Sequence, residues 1–307
     1  MHFRLRYDLY GMSLGLAEGK ALNFPFGGDH RVMVSVFEQV VDGEKALLCE
    51  GLSERQVENS VQDAFERSTT VRPFDETERA FFHQAISELH DYMERTVKIL
   101  RWRCSVMDAP IIPFRDSRQA YSLDGEARIE IPRYLTSLMI VYGHPQKAEI
   151  SEALCKEIVD LVEQGASESF ERTMFRQAWN LRGMYPKAAL VIGVAAAEIG
   201  FRRLVGNAGG RKGILTLLNK YWPHPLPIPT VGGKQIKASA TLLVILKSSI
   251  HKRDAIVHEG AAAPDRDELR DILFNISQLL WIWDFYSGHV WVLEHISANS
   301  ATIDSES

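Results

Sequence analysis

From Lys147 onward the apolar residues recur three and four positions apart, whereas before residue 50 they gather in short runs broken by glycine turns. This change of period constrains the fold most, because a 3.6-residue repeat buries one side of a helix and cannot equally serve a strand. Ile150, Leu154, Ile158 and Leu161 mark one helical stripe, and Phe170, Met174, Ala178 and Leu181 a second. Pro186 stands where the first turn of a helix tolerates it and opens a third helix, Lys187–Val205. Ile214–Tyr221 reads as a short helix, followed by a rigid proline-rich loop, Trp222–Gly233. Ser239–Gly260 is the next helix, with Leu243, Leu246, Ile250 and Val257 on one face and Gly260 as its stop. The final helix carries Leu269, Ile272, Leu273, Ile276, Leu280 and Trp283, a stripe broad enough for a core and a partner. Trp281, Trp283 and Trp291 belong to such a core or interface rather than to a base-stacking platform.

The first half has a different character. Phe3–Tyr10 and Arg31–Val41 have strand-like content, Gly27-Gly28-Asp29 is a turn, and Asp42-Gly43 is a hairpin signal before Ala46-Leu47-Leu48. Asp75 caps a long helix to about Cys104, striped by Phe82, Ile86, Leu89, Met93, Val97 and Leu100. Turns and short strands return over 108–146, with a hairpin at Leu123-Asp124-Gly125-Glu126. The expected class is α+β: a mixed domain over 1–146, an all-α bundle over 147–297, and a disordered tail over 298–307. Nothing in 1–146 forms a motif that carries chemistry, and a sensing, assembly or substrate-positioning role is open to it.

Apolar residues at 46% and charged residues at 24% describe a soluble globular protein. Cys49, Cys104 and Cys155 are too widely spaced for a zinc knuckle or a disulfide framework, so reduced thiols, no metal and a cytoplasmic setting are expected. The start lacks a hydrophobic signal core, and no apolar run is long enough to span a bilayer. There is no glycine-rich phosphate loop ending in Lys-Ser/Thr, no G-x-S-x-G and no H-E-x-x-H. ATP hydrolysis, serine-hydrolase and zinc-protease chemistry are disfavoured, and no cofactor is expected.

The net charge of −5 conceals a local extreme: between Ile199 and Arg253 there are ten Lys or Arg and no Asp or Glu. A cationic stretch of this kind suits a polyanion, with Arg202, Arg203, Arg211, Lys212, Lys247 and Lys252 as phosphate-contacting candidates. It ends in Arg253-Asp-Ala-Ile-Val-His258. Asp254 and His258 are four apart and can meet on one helical face, whereas Arg253 and His258 diverge by about 140° on an ideal helix. Histidine moves protons near neutral pH, and arginine offers a permanently charged planar fork to phosphate. The plainer readings are a helix-capping His258 and an Arg253 paired with Asp254 or Glu259. Asp254 either orients the imidazole or holds Arg253. Glu198, in an otherwise apolar run, pairs with Arg202 four residues on or organises the Arg/His pair. His251, seven residues before His258, is an accessory candidate.

The segment Arg253–His258 near a helix end, preceded by the apolar helix with its lone Glu198, resembles the HEPN superfamily, over about residues 147–297. It differs at Asp254, where the family often has Asn, and at Gly260, where the antitoxin-modified branch carries Tyr. The resemblance implies a helical bundle acting as a metal-independent RNA endonuclease, a toxin or antiviral effector. Two protomers would bring their Arg253/His258 pairs together, and a regulatory protein partner is possible in such systems. The products implied are a 2′,3′-cyclic phosphate and a 5′-hydroxyl. The alternative is a non-catalytic HEPN-like module that binds RNA, a nucleotide or a protein.

Overall fold

The computed structural model describes residues 1–9, 14, 16, 19–27, 31–41, 44–63, 65, 76–107, 114–122, 129–130, 150–206, 213–221 and 231–305. It combines helices with antiparallel sheet, as the α+β reading expects. The chain divides into two compact units, Met1–Glu168 and Ser169–Ser307. The turns expected at Asp42-Gly43 and Leu123–Glu126, the cap at Asp75, the candidates Arg211 and Lys212, and most of the proline-rich loop lie outside the described residues.

The first unit is an antiparallel sheet in the order β2-β3-β4-β1-β5-β6. Its strands are β1 (His2–Leu9), β2 (Ala21–Phe26), β3 (Arg31–Val41), β4 (Glu44–Glu54), β5 (Phe114–Ser122) and β6 (Ile129–Glu130). Alternation turns Phe3, Leu5, Val34, Val36 and Cys49 to one buried face, where the long helix α1 (Glu76–Arg103) lies. Gly51 permits that approach, since a Cβ there would meet Met93 Sδ at 2.6 Å and Leu89 Cδ1 at 2.8 Å. The helix α2 (Glu152–Glu163), which periodicity groups with the C-terminal bundle, falls within this first unit. It packs on α1 and β2, and Arg103 Nε pairs with Glu157 Oε1 at 3.0 Å.

The second unit is built from α3 (Phe170–Leu181), α4 (Pro186–Val205), α5 (Ile214–Tyr221), α6 (Ala240–Glu259) and α7 (Arg266–Tyr286). Helix α4 packs against α3, α6 and α7, and α6 also packs against α7. The C-terminal half of α7 is buried on all sides, from Ile276 to Phe285. Its tryptophans serve this core: Trp283 lies on Phe201, and Trp281 stacks on His295 with ring centroids 4.6 Å apart. Two expected stripes are corrected. Helix α3 buries Glu171, Arg172, Phe175, Arg176 and Ala178 and leaves Phe170 exposed, because Arg172 finds a buried carboxylate in Asp284. Helix α6 buries Leu242, Leu246, Ser249 and Ile250, while Val257 is exposed.

The C-terminal tail, expected to be disordered, instead contains the strand β8 (Ala301–Ser305), paired antiparallel with β7 (Lys234–Ala238). Backbone pairing decides this where composition does not: the Ser239 N–H, at the start of α6, donates to the Ser300 carbonyl at 2.8 Å.

Candidate functional site

Ser239 begins α6 in extended conformation, and its hydroxyl accepts from the Leu242 N–H. The helix then runs to Glu259 and closes at Gly260, whose φ of 70° is the left-handed stop expected there. The Gly260 and Ala261 N–H groups both turn back to the Ala255 carbonyl. Along this helix Leu246, Ile250 and Arg253 follow helical spacing on the side packed into the unit. Val244, Ser248, His251 and His258 form an exposed line on another side.

Arg253 therefore turns inward to α4, at the height of Glu198. Its Nη2 lies 3.7 Å from Glu198 Oε2, and its Nε lies 2.7 Å from Asp254 Oδ1. The Nε–H is buried and has no aligned hydrogen bond among the described residues, so charge rather than directed bonding holds the guanidinium. The other Glu198 oxygen accepts from Arg202, at 3.2 Å from Nε and 3.0 Å from Nη2. Glu198 thus pairs with Arg202 one turn on and also reaches Arg253, but not His258. Two guanidinium groups and two carboxylates form one cluster across α4 and α6. Arg253 is 20% exposed, Glu198 23% and Asp254 42%, so the cluster is open to water on one side.

His258 stands one turn farther along and is exposed. Asp254 faces Arg253, and among the described residues no hydrogen bond joins it to His258. Of the two roles open to Asp254, holding the arginine is the one seen. The structure brings together Glu198, Arg202, Arg253 and Asp254, and leaves the imidazole free at the helix end.

The remaining candidates divide by what they touch. Arg203 Nη2 pairs with Glu171 Oε1 at 2.8 Å, and Lys252 Nζ with Glu268 Oε1 at 2.7 Å. Lys247 Nζ donates to the Asn219 side-chain oxygen at 2.5 Å, and His251 is exposed. The carboxylate-free stretch of sequence is thus partly neutralised in space by Glu171, Glu198 and Glu268, all from outside it. Sequence reading missed Lys187, whose Nζ reaches the Gly260 carbonyl at 3.5 Å and so adds a cation beside the end of α6. The signal available for it was its place in the first turn of α4, but only an antiparallel α4/α6 pairing makes that place meaningful.

Chemically, the arrangement offers a guanidinium held between two carboxylates in a solvent-open cluster, with an exposed imidazole at the end of the same helix that does not join it. Among the described residues no group of three or more His, Cys, Asp or Glu side chains is placed to hold a metal ion, and no helix is long and apolar enough to cross a membrane. Comparison with protein-family models, with curated proteins and with solved structures gives no match.

Proposed function

We propose that the second unit is a metal-independent RNA endonuclease of the HEPN type, working as a toxin or antiviral effector. The observation that carries this reading is Arg253, held between Glu198 and Asp254, with the exposed His258 five residues on at the end of the same helix. The two carboxylates fix the guanidinium yet leave it a water-facing side. It can take up the charge that gathers on a phosphate in the transition state. His258 supplies or removes the proton at the ribose 2′-hydroxyl or the leaving 5′-oxygen. The bond broken is P–O5′, the bond formed joins O2′ to phosphorus, and a cyclic phosphate remains. Since the imidazole and guanidinium diverge around one helix, a second copy of the chain supplies the complementary half of the pair. In this reading Arg202, Lys247, His251 and Lys252 line the approach of the RNA backbone, and the first unit senses or positions the substrate.

The test is RNA cleavage in EDTA by wild type, Arg253→Ala and His258→Ala, with circular dichroism to confirm folding. Loss of 5′-hydroxyl ends in both variants supports the site; equal cleavage by folded variants rejects it. A deoxy-substituted RNA must remain intact, because it lacks the nucleophile.

A second reading is a non-catalytic module that binds RNA, a nucleotide or a protein. The ion pairs that occupy Arg202, Arg203 and Lys252 favour it, since these cations are partly satisfied without a ligand. Salt-sensitive RNA binding without new RNA ends selects this second reading.

A further inference from the structure

We infer that Tyr185, with Met184 and Lys187 beside it, forms a subsite that stacks one unpaired base of an RNA strand engaged at His258. The inference rests on the nuclease reading of that site and adds to it the residues that hold the nucleobase.

Helices α4 and α6 run antiparallel. Glu198 meets Arg253 near the middle of α4, and Lys187 meets the Gly260 carbonyl at its beginning. The step from Glu198 back to Lys187 is about 16 Å of helix, and the step from Arg253 on to Gly260 about 10 Å, within the reach of a lysine side chain across the difference. The residues that lead into α4 therefore stand at the same end of the unit as His258. Three apolar side chains are left in water there: Met184 at 75% exposure, Tyr185 at 59% and Val257 at 53%.

Tyr185 is well placed to be fixed while its ring stays free. Its backbone N–H donates to the Leu181 carbonyl at 2.8 Å, and its carbonyl accepts from the Ala189 N–H at 2.9 Å. Pro186 follows it and restricts its backbone further. The side chain makes no capping hydrogen bond. A rigidly mounted, water-exposed aromatic ring next to an exposed lysine matches what single-stranded nucleic acid requires: a π-face for a base and a cation for the adjoining phosphate. A stable protein interface asks for roughly 800 Å² from each partner, more than three side chains supply. Lys187 is exposed at this end and offers a cation to one adjoining phosphate, while Glu259 is exposed there as well.

The experiment uses the full chain and a fluorescent single-stranded RNA of ten uridines that carries 2′-O-methyl groups and so cannot be cut. Tyr185→Ala should weaken binding roughly five- to a hundred-fold, as loss of one base stack does, and Tyr185→Phe should bind like wild type. An RNA with a single abasic position should lose affinity for wild type and lose little for Tyr185→Ala. Unchanged binding by Tyr185→Ala, together with normal cleavage of ordinary RNA by wild type, overturns the subsite and leaves the nuclease reading intact. Absence of RNA binding and cleavage by wild type overturns both. If Tyr185→Ala instead converts an oligomer to a smaller species in light scattering, the patch joins protein copies and the subsite is rejected.

Discussion

Two arginine–carboxylate contacts in the second unit differ in what surrounds them. Arg172 and Asp284 meet at 2.8 Å with both side chains 3% exposed, and the guanidinium lies 3.4 Å from the centre of the Trp281 ring. Arg253 meets Glu198 and Asp254 at longer or less aligned contacts, in a cluster that water reaches. The first pair is closed: its geometry is fixed by the core, and no substrate can approach it. The second is open: its arginine and both carboxylates keep a side toward water. The buried charge pair is therefore read as fold specification, and the open one, on the same helix as the exposed His258, as the place of the proposed nuclease site. The contrast yields opposite expectations for the two arginines.

The largest effect expected is on chemistry at the open cluster. His258→Ala should lower RNA cleavage by about 10²- to 10⁴-fold, the range for a lost general acid or base. Its unfolding free energy should stay within about 0.5 kcal/mol of wild type, because an exposed helix-end side chain is removed. Initial rates and a urea titration on the same preparation check both halves. A large stability loss in His258→Ala would erase the distinction drawn between the clusters.

Next comes the closed pair. Arg172→Leu should destabilise the protein by roughly 3–5 kcal/mol, since the buried Asp284 loses the guanidinium that meets it at 2.8 Å. The double replacement of Arg172 and Asp284 by leucine should recover much of that loss. Urea midpoints at constant slope measure this. Should Arg172→Leu cost no more than Arg253→Ala, burial would not be what separates the two contacts.

How far these clusters could be read from residues alone depends on the range of the interaction. The helices α4 to α7, the helix α1 and the strands β1 and β3 are legible, because each is announced by its own periodicity and by local signals such as the opening Pro186 or the closing Gly260. The Glu198–Arg202 pair was legible for the same reason, being one turn apart. The Glu198–Arg253 contact spans 55 residues, and nothing local encodes which face of α6 meets α4. Val257 fits the apolar spacing of α6 yet is exposed, and Arg253 occupies the inward line instead. Periodicity puts Phe170 on a core face, yet the helix turns Arg172 inward, because the partner that makes burial of an arginine tolerable lies 112 residues away. The strand β8 was hidden by a polar tail composition, since sheet pairing is satisfied by backbone groups that composition does not report. The cationic stretch misled in a similar way: a run without carboxylates in sequence acquires them in space.

A smaller effect tests whether core packing sets the position of the open cluster. Glu198 lies between Gly193 and Gly200 on α4, and both glycines face α7. A Cβ at Gly200 would meet the Trp283 ring, with Cζ3 at 2.6 Å, whereas one at Gly193 would meet Leu273 Cδ2 at 2.6 Å. An indole in the core cannot rotate aside as a leucine methyl can. Gly200→Ala should therefore cost about 1–3 kcal/mol by overpacking, and Gly193→Ala should lie at or below the lower end of that range. Thermal denaturation ranks the two, and equal losses would show that α4 shifts as a body rather than clashing locally.

The smallest effect concerns pH. His289 is half-buried next to the closed cluster, and burial lowers its pKa below the usual value; Asp284 opposes this and Arg203 reinforces it. The unfolded chain therefore takes up a proton at a higher pH, near 6.5, than the folded chain does. Stability from the neutral imidazole is fully present above about pH 6.5 and declines as pH falls from there through the lower folded-state value. Denaturation midpoints between pH 8 and pH 5 should fall on acidification, and His289→Gln should flatten part of that slope. If His289→Gln leaves the slope as steep as in wild type, burial of this imidazole is not what couples stability to pH.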